Sequence, residues 1–320
     1  TMHLERAVGE LPLGTAFDYT SLDQKWDDYG GKAETKVYSG ALYGGWLRDS
    51  FLLTGHAGGG FGDASTKRDL PALNYDFGHI AYVGVYGGYS HGETEGRGMD
   101  SRVKSDSGHG GVMARLAPLR ELPGLNIVVD AGFTFADNSS RRTVGRHTVK
   151  GGFDQDVYTL SAGVFHRFDI GNGFRLMPGA SYRYTHLEQD GFDESGLTAN
   201  RVHDYKADSH VTRLGLEVSR DFAFCGGVLA PAITASWLHE FGDREHALRA
   251  EYLSPVPGTF PVYTRRSNSA GRDTAELGFA LGARRDFSGG KSLGVNVGYT
   301  LGLSGRTTTH SVFAGVEIGF

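Results

Sequence analysis

The final nine residues, Val312 to Phe320, alternate without a break. Val312, Ala314, Val316, Ile318 and Phe320 make one side, while Phe313, Gly315, Glu317 and Gly319 make the other. Successive side chains of a β-strand point to opposite faces, so a period of two predicts a strand. Greasy on one face and small or charged on the other, this strand suits a wall between lipid and water. The pattern recurs upstream. Leu293, Val295, Val297, Tyr299 and Leu301 alternate with Gly294, Asn296, Gly298 and Thr300, and Leu277, Phe279, Leu281 and Ala283 alternate with Glu276, Gly278, Ala280 and Gly282. Leu214, Leu216 and Val218, then Ala180, Tyr182 and Tyr184, and Ile127, Val129, Ala131, Phe133 and Phe135 repeat it. In a soluble sandwich the apolar faces would meet and the polar faces would be solvated. Here the polar face is rich in Gly with single charges at intervals, which favours a curved wall around a wet lumen.

Composition agrees. Only 39% of the residues are hydrophobic, and no apolar run approaches the ~18 residues of a membrane helix. A barrel strand evades that test because every second residue is free to be polar. The 49 Gly among 320 residues are about twice the usual share, without a collagen-like repeat. The 15 Tyr and 19 Phe suit aromatic girdles at the membrane boundaries. A net charge of −5 gives no reason to expect a nucleic-acid partner. The single Cys225 excludes an internal disulfide and a cysteine metal cluster, and it is expected as a packed small residue in a short turn.

Turn signals place strands near 35–48, 51–63, 78–94, 105–117, 123–137, 153–169, 173–188, 205–222, 227–243, 271–286, 291–304 and 308–320, about twelve in all. Ile170-Gly-Asn-Gly, Cys225-Gly-Gly and Ser288-Gly-Gly read as tight turns, whereas 138–152, 189–204 and 244–270 are long and polar. Short turns on one rim and long loops on the other are the asymmetry of an outer-membrane barrel. The long stretch 63–77 breaks it: either a polar strand hides there or the first two strands are misplaced. Residues 1–34 lack a clean strand pattern, and Leu22 to Tyr29 are compatible with two helical turns ended by Gly30 and Gly31. Crossing a ~25 Å band takes about 8 extended or about 17 helical residues, so this lead is long enough to thread the lumen. The expected division is a linker or lumen segment at 1–34 and an outer-membrane barrel at 35–320.

With its terminal aromatic strand, about twelve strands and irregular lead, the chain resembles the translocator domain of monomeric autotransporters (type V secretion). The phrases that carry the likeness are Asp190-Gly-Phe-Asp-Glu-Ser-Gly196, Pro231-Ala-Ile-Thr-Ala-Ser-Trp-Leu-His-Glu-Phe-Gly-Asp243, Gly298-Tyr-Thr, and Ser311 through Phe320. The resemblance implies an all-β, transmembrane, antiparallel up-and-down β-barrel in the Gram-negative outer membrane. It also implies insertion by the barrel-assembly machinery and surface export of an amino-terminal passenger. Val312, Ala314, Val316, Ile318 and Phe320 would then form the barrel-assembly signal. The partners it implies are outer-membrane lipid, the assembly machinery and the chain's own passenger, around a monomeric barrel. An Asn-Asn pair of the kind some members cleave inside the barrel is absent from the sequence. No signal peptide is visible at Thr1-Met-His-Leu-Glu-Arg, as expected for the carboxyl-terminal part of a longer protein.

Enzymatic signals are weak. His239 and Glu240 are adjacent on a strand and point to opposite faces, which rules out a helical zinc motif there. His186 and His210 flank an expected outer loop, no Gly-x-Ser-x-Gly elbow or P-loop occurs, and no helix follows the glycines of Gly84-Val-Tyr-Gly-Gly-Tyr. No catalytic residue, metal or cofactor is expected. Arg115, Asp130, Arg183, Arg213, Glu217, Glu240, Glu276, Arg284 and Glu317 fall on the expected lumen face. Wall-to-wall ion pairing is the simpler account of each, and a hydrophilic lining past which a chain slides is the functional one. Twelve strands with many inward Gly leave room for one helix or an extended chain. A passenger-free channel or adhesin barrel is the alternative, and an outer-membrane barrel enzyme a more distant one.

Overall fold

A backbone that faces lipid on one side must satisfy every N–H and C=O from a neighbouring strand, and a sheet can do that throughout only by closing on itself. The computed structural model describes residues 12–26, 31–48, 51–61, 73–76, 81–97, 100–116, 124–242, 247–253, 262–266, 271–287, 291–305 and 307–319. All regular elements among them are strands. The first part of the wall is β1 (Pro12–Trp26), β2 (Gly31–Arg48), β3 (Phe51–Phe61), β4 (Leu73–Asp76), β5 (Ala81–Arg97), β6 (Ser101–Leu116), β7 (Leu125–Val144) and β8 (His147–His166). Next come β9 (Phe168–Gly171), β10 (Phe174–Gln189), β11 (Phe192–Asp193), β12 (Asn200–Val202), β13 (Tyr205–Arg220), β14 (Phe222–Phe224) and β15 (Gly227–Glu240). The chain closes with β16 (Ala247–Tyr252), β17 (Tyr263–Arg266), β18 (Asp273–Asp286), β19 (Ser292–Ser304) and β20 (Thr307–Gly319).

Twelve strands are 13 residues or longer: β1, β2, β5, β6, β7, β8, β10, β13, β15, β18, β19 and β20. Each pairs antiparallel with its neighbour in that order, and β1 pairs with β20 from Pro12↔Gly319 to Gln24↔Thr307, which closes the ring. The junction of β2 and β5 is split. Lys32–Val37 pairs directly with Gly92–Arg97, but below that point the short β3–β4 pair is wedged between the two strands.

This wedge accounts for the irregularity around 63–77. Phe51–Phe61 is one leg of an inserted pair rather than a full wall strand, and the full strand missing from the expected set is β1. The two differences cancel in the count. They restore parity too, because Pro12 and Gly319 sit side by side on one rim. Within the expected 1–34 lead, Pro12–Trp26 is therefore wall; Leu22–Trp26 is extended rather than helical because it pairs with β2 throughout and, over Leu22–Gln24, with β20 as well. Residues 1–11 and 27–30 of the lead lie outside the described residues.

The molecule is inside out compared with a soluble protein. Its exposed large hydrophobic residues include Phe133, Phe135, Leu160, Leu214, Ile233, Leu277, Phe279, Val312, Val316 and Ile318, while the buried polar ones include Asn126, Asp130, Thr159, Ser219, Ser292 and Ser311. Strand alternation sends the first group to the lipid side and the second to the lumen. Glycines on the inward face let larger side chains lie flat against the wall. Phe313 covers Gly298 so closely that a Cβ there would fall inside the ring.

Two tight turns lie on the rim that holds Pro12 and Gly319. Asn172-Gly173 and Cys225-Gly226 are two-residue hairpin turns in which both residues have positive φ (51° and 76°, 48° and 75°), matching strand twist. Cys225 is exposed at this turn rather than packed. Ser288-Gly-Gly lies outside the described residues. On the opposite rim the expected loop 138–152 is not a loop. The 20-residue strands β7 and β8 run on through it to a turn at Gly145-Arg146, beyond the roughly 9–11 residues that cross a bilayer.

Candidate functional site: the lumen and its mouth

Alternation alone places a polar side chain in the lumen; the wall's curvature then decides which of them meet. Arg213 on β13 reaches across β15, donating to Ser236 Oγ at 3.0 Å, and pairs with Glu276 on β18 at 2.9 Å. Arg284 pairs along its own strand with Asp286 at 3.0 Å. Glu240 accepts from Ser209 Oγ at 2.5 Å and from the backbone N–H groups of His210 at 2.8 Å and Gly242 at 2.7 Å. That pins the upper end of β15 to β13. Glu217 lies within electrostatic range of Arg175, which is itself paired with Asp221.

Asp130 and Arg183 are left over. They share one transverse row, Asp130↔Ser161↔Arg183, two strand spacings or ~10 Å apart. Asp130 is buried and its Oδ2 has no hydrogen-bond partner, while Arg183 is exposed to the lumen and makes no ion pair among the described residues. Arg115 and Glu317 occupy β6 and β20, but their side chains fall outside the described residues. Of the expected assembly signal, Val312, Ala314, Val316 and Ile318 are exposed along β20; Phe320 lies outside the described residues.

Nearer the long-loop rim the inward face carries amides. Asn138 Nδ2 donates to Gln155 Oε1 at 3.3 Å, and Gln155 Nε2 donates to Gln189 Oε1 at 3.0 Å, linking β7, β8 and β10. Above them sits a feature that sequence reading missed. The two long loops, 190–204 and 241–272, build a second sheet in the order β11-β12-β16-β17. It rests on the inner face of the β7–β8 extension, where Phe192 stacks on Phe153 at 4.9 Å and covers Gly151. Ser195 and Lys150 exchange backbone hydrogen bonds of 3.0 and 2.7 Å beside it.

Glu194 is the anchor. Its carboxylate takes two hydrogen bonds from Arg142, at 2.9 and 2.6 Å, and two from Asn200, through its backbone N–H at 2.9 Å and Nδ2 at 2.8 Å. The buried hydrophobic residues among those described, Val149, Ala199, Val202 and Ala250, all lie in this mouth assembly. Elsewhere the described residues form a wall one layer thick. At the edge of the small sheet, the Arg201 guanidinium beside Asp193 holds its carboxyl below the usual range. A lowered carboxyl contributes stability above its unfolded value and loses it only as pH falls through the lowered one, so this link persists at neutral pH.

On the outside of the same rim, rings and carboxylates pair at the lipid boundary. Tyr182 OH meets His210 at 2.6 Å, His186 meets Asp208 at 2.8 Å, Trp237 and His239 share Asp273 at 3.0 and 2.8 Å, and Tyr299 OH meets His310 at 2.7 Å. The histidines that invited a catalytic reading therefore belong to an interfacial girdle, where an apolar ring with a polar tip is at home.

A family model described as "Autotransporter beta-domain" matches residues 1–76 and 72–299. The chain belongs to the autotransporter β-domain family. It is an outer-membrane barrel of Gram-negative bacteria, in a family of translocator domains rather than of enzymes. No curated protein sequence matches it. Among solved structures it is similar to the translocator domain of the autotransporter NalP from Neisseria meningitidis, at 15% identity over 98% of this chain and 89% of that one, with a TM-score of 0.62. It is similar also to the β domain of the Bordetella autotransporter BrkA, at 16% identity over 97% of this chain and 98% of that one, TM-score 0.54. The transport unit of AIDA-I from Escherichia coli matches at 14% identity over 99% and 92% of the two chains, TM-score 0.54. At these identities the likeness is one of fold. The short-turn rim of an autotransporter β-domain faces the periplasm and the long-loop rim faces the outside.

Proposed function

We propose that this β-domain carries a passenger, joined upstream of Pro12, through its lumen to the cell surface. The supporting observation is where β1 begins. Pro12 pairs with Gly319 on the periplasmic rim, so a chain entering there reaches the outside only by crossing the membrane, and the polar lumen is the path at hand. The part of the expected 1–34 lead that threads the lumen is then the stretch before Pro12, since Pro12–Trp26 belongs to the wall. Small and polar inward groups let a polar chain slide without sticking, and the unmatched Asp130 and Arg183 offer it passing partners. The barrel acts as a monomer without a catalytic step of its own, and the assembly machinery reads the lipid-facing row of β20.

An epitope fused upstream of Thr1, behind a signal peptide, tests this in intact cells. Antibody should label the epitope at the surface when the barrel is inserted. An inserted barrel with the epitope left in the periplasm would favour the passenger-free channel or adhesin. Deleting residues 1–34 is not a usable control, because it removes β1; deleting 1–11 leaves the described wall intact.

A further inference from the structure

We infer that the lipid-side face of β6, β7 and β8 is a binding site for the phosphorylated saccharide of an anionic outer-leaflet glycolipid. Arg102, Arg141 and Lys150 stand directly opposite one another on these three adjacent strands, Arg102↔Arg141 and Arg141↔Lys150, and all three are exposed. Their spacing is ~4.8 Å per strand, close enough for like charges to destabilise the pairing. Arg102 is held by Glu93 and Glu95, each at 2.5 Å. Arg141 and Lys150 make no side-chain hydrogen bond or ion pair among the described residues, and the exposed Lys104 adds a further cation below Arg102. Arg141 and Lys150, which have no countercharge among the described residues, are suited to one from outside, and guanidinium groups pair in bidentate fashion with phosphate or carboxylate.

The height of the row identifies the ligand. Along the outward face of β7 the apolar residues end at Phe135, and Asp137 follows; it stands directly opposite Asp106 and Asp154. This acidic row, at the edge of the acyl layer, repels a phosphate placed there, as a simple phospholipid would place it. The basic row lies four residues further out, ~13 Å along the strand. An anion at that height, in register with the lipid-facing side, is one carried on a saccharide above the acyl chains. The inference rests on outer-membrane location and on the orientation of the rims, not on passenger export.

The test uses the folded full chain in detergent, with purified glycolipid as probe and native mass spectrometry as readout. Wild type should retain lipopolysaccharide with a phosphorylated core, and retention should fall with rising salt. Arg141→Gln with Lys150→Gln should lower retention at least tenfold, while Lys206→Gln, on β13, should leave it unchanged. Wild type should also lose retention when the core phosphates are removed enzymatically, an arm that needs no variant to fold. Equal retention of the two glycolipids by wild type, equal retention by wild type and the double variant, or preference for phosphatidylglycerol would each overturn the proposal.

Discussion

Glu194 shows how much of this molecule hangs on single polar residues placed where the barrel stops being a barrel. Its side chain is 9% exposed and gathers four donated hydrogen bonds from two residues. Glu194→Ala leaves the Arg142 guanidinium and the Asn200 amide without their acceptor, at about 2–3 kcal/mol. The buried apolar residues of the mouth assembly are small and few: Val149, Ala199, Val202 and Ala250. Residues 190–204 should become a protease-sensitive segment and the Asn200 amide should exchange faster, while the barrel stays folded by its gel shift. Unchanged exchange at Asn200 would show that Phe192 and the backbone pairing of Ser195 hold the mouth sheet without the carboxylate. Asp130 and Arg183 are the contrasting case. They share a row yet do not meet, because Ser161 keeps them two strands apart.

At the scale of elements, β1 and β20 carry the closure. Phe17 and Ala314 are directly opposed across that seam, at the ~4.5–5.5 Å Cα separation of an antiparallel pair, which a disulfide can span. With Cys225→Ser removing the native thiol, Phe17→Cys and Ala314→Cys should crosslink in membrane-inserted protein and change its mobility on a non-reducing gel. Failure to crosslink, with both thiols reactive, would return Pro12–Trp26 to the lumen. β20 also ends in the row expected to be read during assembly. Phe320→Asp sets a charge at the membrane edge and should reduce the inserted fraction several-fold relative to Gly319→Ala, measured by membrane fractionation. Equal insertion of the two variants would remove Phe320 from the assembly signal.

For the whole molecule, the inverted distribution of polar and apolar residues means that stability depends on an apolar solvent outside. In detergent the chain should give a β-dominated circular dichroism spectrum and migrate differently on a gel before and after boiling. A helical spectrum, or a native monomer soluble without detergent, would contradict the closed wall. Much of that wall was legible in the sequence because a period of two is local: each residue's face follows from its neighbour's, so the wall strands from β5 to β20 could be read to within a few residues, except for the outer ends of β7 and β8, whose polar extension was read as a loop. β1 was legible in principle, since Leu13, Thr15, Phe17 and Tyr19 alternate with Gly14, Ala16, Asp18 and Thr20. Its polar continuation, Asp23-Gln-Lys25, hid it. Alternation assigns Arg213 and Glu276 a side of their own strands; it does not say that they meet across β15, because their separation in sequence is closed only by strand order. The wedge of β3 and β4, the union of two distant loops into a mouth sheet, and the opposed cations of β6, β7 and β8 were likewise decided by tertiary structure. Alternation is a property of one strand, whereas register and ring closure belong to pairs of strands, and no single segment carries them.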